Sequence, residues 1–257
     1  MVDQEREIME AAMEAGHILL ENGAEIFRVE ETINRICRHY GIESSNAFVL
    51  SNGIFITAGS VMEESFAKVQ HIPVSGSHLD RVAAVNQLSR EVEEGRYTIE
   101  EVRGRLEEIR KMPGKTKKMQ ILGSGVGSGA FCYLYGGSLY DCGAAFLAGL
   151  ILYVFVLYVS GPHLKKMMSG IAGGAVATAV CMALWELGIG QNLDLMIIGS
   201  IIPLVPGVAF TNAIRDIADE NYIAGTVRMT DALLVFFCIA MGVGMVYAVK
   251  QRLIIWF

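Results

Sequence analysis

Thr211, Asn212, Arg215 and Asp216 lie within about two turns of one another at 3.6 residues per turn, directly after the apolar run Ile201-Ile202-Pro203-Leu204-Val205-Pro206-Gly207. A hydroxyl, an amide, a guanidinium and a carboxylate in that order could hold a small polar solute. Gly225, Arg228 and Asp231 follow in the same stretch. Each proline removes a backbone donor and clashes with the preceding turn, so an apolar helix through Pro203 and Pro206 must kink or open. In lipid, carbonyls freed in this way are tolerated only where protein or a water-filled cavity covers them, which points to a transport pathway. A proline kink used for packing alone is the other reading.

Other reactive groups are scattered. Arg28, Glu30 and Glu31 stand together beside an apolar helical stripe, and Arg28 can approach Glu31 three residues on; an exposed helix pair worth a few tenths of a kcal/mol is the plain alternative. His17, His39, His71 and His78 have no paired spacing for a metal, and no Ser or Cys occupies a nucleophile elbow. The five cysteines (Cys37, Cys132, Cys142, Cys181, Cys238) include no C-x-x-C pair, so buried reduced thiols are expected and neither a metal centre nor a disulfide framework is. Gly125-x-Gly127-x-x-Ala130 fits a loose dinucleotide fingerprint, but no strand precedes it. Gly123-x-x-x-Gly127 reads instead as a face for close helix packing in a membrane. The expectation is no catalytic residue, no metal and no cofactor.

The elements that must position these residues divide in two. Of 257 residues, positions 1–118 hold 15 of the 21 Lys+Arg and 20 of the 27 Asp+Glu, leaving 6 and 7 for the rest. The later part carries apolar runs near the ~20 residues that cross a bilayer. A soluble domain over 1–114 followed by a membrane domain over 115–257 is expected. Asp3, Glu5, Glu7, Glu10 and Glu14 give the start the wrong charge for a signal peptide, so the soluble part is expected in the cytoplasm. Interleaved acidic and basic residues, net −6, leave no nucleic-acid footprint.

Within 1–114 the periodicity predicts an amphipathic helix over 3–22 ended by Gly23 and a second closed by Gly41, with Ile26, Val29, Ile33, Ile36 and Tyr40 inward. A hairpin turning at Asn52-Gly53 over 46–59 follows, then a strand from Ser65 to Ile72 ended by Pro73 and Ser75-Gly76. A helix capped by Ser77 runs to about Glu94, and a last one opens on the capping box Thr98/Glu101 and stops before Pro113-Gly114. The order α-α-β-β-β-α-α describes a small α+β domain with helices on one face of an antiparallel sheet. Beyond it, apolar segments fall at about 119–138, 143–160, 167–187, 194–213 and 230–249. Lys115 to Lys118, Lys165 and Lys166 belong inside, and the loops bearing Asp141, Glu186 and Asp194 outside. Five spans with the N-terminus inside and Phe257 outside are expected. A fourth segment that dips in and returns at Pro206-Gly207 satisfies the charge rule equally, but 21 residues over 194–214, about 31 Å of helix, favour a full crossing.

Gly23-Ala24-Glu25-Ile26-Phe27-Arg28-Val29-Glu30-Glu31-Thr32, the hairpin, the glycine-rich first span, Pro203-Leu204-Val205-Pro206-Gly207, Asn212-Ala213-Ile214-Arg215-Asp216 and Gly225 to Arg228 together resemble the threonine/serine exporter family over essentially the whole chain. That resemblance implies an α-helical multi-pass membrane protein of five transmembrane helices, the fourth one broken, with an N-terminal cytoplasmic α+β domain. It implies export of threonine, serine or a small dicarboxylate across the cell membrane. Ending after the fifth span, the chain resembles the longer subunit of the split form, so a smaller multi-span partner subunit or a homo-oligomer is expected to complete the pathway. With Pro206-Gly207 opening the fourth span, Thr211 and Asn212 would hydrogen-bond substrate and Arg215 would receive a carboxylate, while Asp216 or Asp231 would carry a coupling proton. Rival readings are a membrane sensor or assembly subunit whose cytoplasmic domain binds a regulator, and a membrane-anchored enzyme; five glycine-rich spans are far more than an anchor needs.

Overall fold

A computed structural model describes residues 2–42, 45–58, 66–72, 78–161 and 163–256. Its residues group into two compact units, one of 1–114 with 207–230 and the other of 115–206 with 231–257.

In the first unit, α1 (Val2–Glu21) and α2 (Ile26–His39) lie against a three-stranded antiparallel sheet of β1 (Asn46–Leu50), β2 (Gly53–Ala58) and β3 (Phe66–His71), in the order β1-β2-β3. Alternation along the strands puts Ala47, Val49, Ile54 and Ile56 inward, where they share a core with Met9, Met13, Leu19, Ile26, Ile33 and Ile36. Gly16 lets α1 and α2 approach, since a Cβ there would stand 2.6 Å from Ile33 Cδ1. Next come α3 (Leu79–Glu93) and α4 (Ile99–Arg110), which close the core with Val85, Leu88, Val92, Val102 and Leu106. The expected capping box is formed: Glu101 N–H donates to Thr98 Oγ1, and Thr98 N–H to Glu101 Oε2 at 2.8 Å.

The hairpin differs in detail from its sequence reading. Leu50 pairs with Gly53, so the two-residue connection is Ser51-Asn52 and Gly53 opens β2. Ile72 N–H donates to Asn52 O at 2.9 Å, tying that connection to the end of β3. Ser65, Pro73, Ser75-Gly76, the Ser77 cap and Phe257 lie outside the described residues.

The unit is completed by α9 (Gly207–Ala218) and the start of α10 (Tyr222–Trp256), through Thr230. Gly225 brings α10 close to α9, its would-be Cβ 2.6 Å from Ile217 Cγ1 and 3.1 Å from Ala213 O, and Ala224 joins the core.

In the second unit, α5 (Lys117–Leu134) packs along α6 (Leu139–Phe155, continued by a π-helical turn Val156–Ser160). The contact glycines are Gly125, facing Leu150 and Phe146, and Gly129, whose would-be Cβ stands 3.1 Å from Cys142 O. Gly123 and Gly127 face open space. The expected Gly123-x-x-x-Gly127 face is thus offset by two residues, about 200° around the helix at 3.6 residues per turn. Then come α7 (Lys166–Glu186) and α8 (Leu193–Ile201), the latter ending in a 3₁₀ turn Ile202–Leu204. Gly174 lies against the backbone of Ile239 on α10, and Gly242 against that of Ile171 on α7. Buried Asp141 joins the α7–α8 connection to α6 by accepting the Asn192 N–H at 2.8 Å and that of Gln191.

Among the described residues three helices are long and apolar enough to cross a membrane: Leu139–Ser160, Lys166–Glu186 and Tyr222–Arg252. Leu193–Leu204 with Gly207–Ala218 makes a fourth if the two pieces are one span. The expected first span corresponds to α5, which is not among these helices: its 18 residues include Lys117, Lys118, Gln120, four glycines and two serines.

Candidate functional site at the α1–α2 turn

The Pro203–Pro206 stretch breaks the backbone where the sequence requires it. Pro203 sits in the 3₁₀ turn, Val205 is extended (φ −67°, ψ 124°), and α9 restarts at Gly207. Removal of two N–H donors within four residues leaves no continuous i→i−4 ladder.

Residues 207–230 and the turn between α1 and α2 then assemble a site within the first unit. The turn is a Schellman motif: Gly23 adopts φ 82°, Gly23 N–H donates to Leu20 O and Ala24 N–H to Leu19 O at 2.9 Å. That closure leaves the carbonyls of Gly23 and Ala24 for partners from elsewhere. Asn212 Nδ2 donates to Gly23 O at 2.8 Å, and Arg228 Nη2 to Ala24 O at 3.0 Å. Asp216, 1% exposed, accepts the Ile26 N–H at 3.0 Å on one oxygen and Arg228 Nη1 at 2.7 Å on the other. Ile26 is the first residue of α2, whose N-cap Glu25 makes no capping bond of its own. A carboxylate 190 positions away therefore caps the helix, where the α2 dipole favours negative charge.

Glu25 is free of capping because it serves two cations. It accepts from Arg28 Nε at 2.9 Å and pairs with Arg215, whose side chain is 57% exposed. Arg28 thus turns back to Glu25 and not forward to Glu31; Glu31 instead takes Arg35 Nη2 at 2.6 Å. Glu30 accepts the Val49 N–H at 3.0 Å. Burial holds its carboxyl above the usual glutamate range, with the Asp216 charge adding to the rise and the Val49 N–H opposing both.

Two predicted residues stand apart. Thr211 donates back to Gly207 O and Val208 O within its own helix, and Asp231 pairs with Lys166 in the second unit. Sequence reasoning missed Gly23, Ala24 and Glu25 as the partners of Asn212, Arg228 and Arg215. An acidic residue without a capping role at a helix start, and a cation pair far along the chain, were the available signals, and nothing local joins them.

The arrangement binds carboxylates with guanidinium groups twice: Asp216 by buried Arg228, Glu25 by exposed Arg215. The model of the ThrE family, described as "Putative threonine/serine exporter", matches residues 10–250. The chain is 23% identical to the "Probable succinate transporter subunit YjjP" of Escherichia coli K12, over 95% of this chain and 94% of that one. It is 21% identical to the protein of the same description in Klebsiella aerogenes, over 94% and 93%. It is also 22% identical to "Pheromone-regulated membrane protein 10" of Debaryomyces hansenii, over 86% of this chain and 22% of that longer protein. No solved structure matches. With a family match across nearly its whole length, the chain belongs to the threonine/serine exporter family and is a membrane transporter protein.

Proposed function

We propose that this chain is a subunit of a secondary transporter that exports a small polar metabolite, threonine, serine or a small dicarboxylate, across the cell membrane. Five spans (α5, α6, α7, α8 with α9, and α10) place the N-terminus and the 1–114 domain in the cytoplasm. A smaller multi-span partner subunit or a second copy completes the pathway; relatives matched over nearly their full length carry the word subunit in their names. The membrane part lies within 115–257, with residues 207–230 reaching the cytoplasmic side, where they pack on the 1–114 domain.

The observation that carries this reading is the exposed Arg215 guanidinium, already holding a carboxylate, on the helix that restarts after the proline break. Glu25 occupies the position a substrate carboxylate would take, so substrate competes with Glu25 for Arg215. Asn212 and Thr211, on the same helix, supply hydrogen bonds once released. Pro203, Pro206 and Gly207 keep the backbone open ahead of α9 in the chain, and Asp216 with Arg228 anchors the arrangement. Asp231, paired with Lys166 in the second unit, is the candidate for a coupling proton.

The test is efflux of labelled serine, threonine and succinate from loaded vesicles, with this chain alone and with its candidate partner. Arg215→Ala and Pro206→Ala lower efflux with the inserted amount unchanged. Normal efflux in Arg215→Ala removes that residue from the mechanism, and loss of protein in Pro206→Ala assigns the proline to packing. No transport of any of the three under either condition favours a sensor subunit.

A further inference from the structure

One face of α2 is spent on the core, and the opposite face lines an open cleft of about 530 Å³ in the first unit that the proposed pathway does not use. Phe27, Glu30, Asn34 and Arg38 recur along that face at three- and four-residue steps, with Glu93 of α3 on the far side. Arg35, also on the wall, is saturated: it reaches Glu31, Glu93 and the Ser89 hydroxyl. Glu30, Asn34 and Arg38 are not.

Asn34 Oδ1 is buried with no hydrogen-bond partner among the described residues. Leaving such an acceptor unsatisfied costs roughly 1–3 kcal/mol, so its retention calls for a donor that the described residues do not supply. One turn earlier, Glu30 uses a single oxygen, on the Val49 N–H. One turn later, the exposed Arg38 guanidinium makes no hydrogen bond or ion pair among the described residues. Side chains on a helix lean toward its N-terminus, so Arg38 extends over Asn34 and Asn34 over Glu30. Two acceptors and then a guanidinium follow one another at about 6 Å, four residues at 1.5 Å each.

We propose that this cleft binds a small amphoteric metabolite, its ammonium group donating to Glu30 and Asn34 and its carboxylate received by Arg38, with Phe27 covering the apolar part. An ammonium alone leaves Arg38 without a counter-charge. A dianion meets Glu30 and Glu93. An α-amino acid satisfies both ends. Phe27 stands directly after Ile26, whose N–H holds Asp216, and Glu30 follows one turn on, so occupancy is positioned to be felt at the α1–α2 turn. The site does not rest on the transport reading.

Titration calorimetry on the full chain in detergent tests it with L-serine and L-threonine as amphoteric probes, ethanolamine as the ammonium alone and succinate as the dianion. Serine or threonine binds at least tenfold tighter than the other two. Arg38→Gln, a change at an exposed side chain, weakens that binding at least tenfold, and so does Asn34→Leu, which without ligand melts no lower than the parent because an orphaned acceptor is replaced by a group of like size. Each titration is repeated in an Arg215→Ala background, which removes the proposed pathway's carboxylate receiver, and the Arg38-dependent binding of the cleft is read there. Absence of amino-acid binding, equal binding by succinate or ethanolamine, or unchanged affinity in Arg38→Gln overturns the proposal. Binding lost in Arg215→Ala but kept in Arg38→Gln moves the ligand to the proposed pathway and overturns it equally. Failed efflux with intact, Arg38-dependent binding would sink the transport reading and leave this one standing.

Discussion

Asp216 and Arg228 form a buried ion pair of the kind whose partners are costly to remove singly, because the survivor is left charged without water. Arg228→Ala is expected to cost the first unit about 3–5 kcal/mol. Asp216→Asn keeps an oxygen for the Ile26 N–H and retains part of the cap, whereas Asp216→Ala loses both functions. Hydrogen exchange reads the difference: the Ile26 amide stays protected in Asp216→Asn and exchanges freely in Asp216→Ala, and equal protection in both would deny Asp216 its capping role. Glu30 supplies a pH signature. Its native carboxyl titrates above the ordinary value of 4.5, chiefly through burial. The folded chain therefore keeps a proton that the unfolded chain has released, and stability falls as pH rises from the ordinary value through the native one. Thermal midpoints of Glu30→Gln across that window should lack this fall, since glutamine still accepts from Val49 without the buried charge; a parallel decline in both proteins would discount the burial effect.

Helix by helix, the sequence made some contacts legible and left others open. The capping box at Thr98 needs only four consecutive residues, and both reciprocal bonds are formed; Thr98→Ala should destabilise the first unit by about 1 kcal/mol. Glycine faces are less readable, because α5 carries four glycines at alternate positions and its own sequence does not say which side meets α6. Gly129→Ala drives a Cβ onto the backbone carbonyl of Cys142, and Gly174→Ala onto that of Ile239, at 3.1 and 2.5 Å. Gly123→Ala meets nothing and removes helix-interior glycine, a gain of about 0.5–1 kcal/mol. Detergent melting curves should separate the three, with the first two lowered and Gly123→Ala unchanged or raised.

At the scale of the molecule, the proposed five-span topology makes an accessibility prediction. In a background lacking Cys37, Cys132, Cys142, Cys181 and Cys238, Leu187→Cys, at an exposed position between α7 and α8, should react with an impermeant maleimide in intact cells. Asp219→Cys should react only after permeabilisation. Asp219 is preferred to Glu220, which sits at φ 66° where a side chain with a Cβ is strained. Labelling of Asp219→Cys in intact cells would instead establish a fourth segment that dips into the membrane and returns. The length of α10 agrees with a crossing that continues beyond the lipid: 35 residues make about 52 Å of helix against a hydrocarbon core of about 30 Å.

The sequence alone determined what depends on near neighbours. Periodicity placed α1 through α4 and the three strands, Gly23 and Gly41 marked two helix ends in the left-handed region, and Pro203 with Pro206 broke a helix, each because the physics acts over a few residues. Membership of the exporter family was also legible, as an ordered set of short motifs along the whole chain. Only the tertiary structure decided where distant groups meet. That residues 207–230 join 1–114, that Asp216 caps α2, and that Glu25 divides itself between Arg28 and Arg215 follow from long-range packing between segments some 190 positions apart. A helix start lacking its cap and a carboxylate in need of a donor look alike at many places in a sequence. They become a site only when burial excludes water and leaves each as the other's partner.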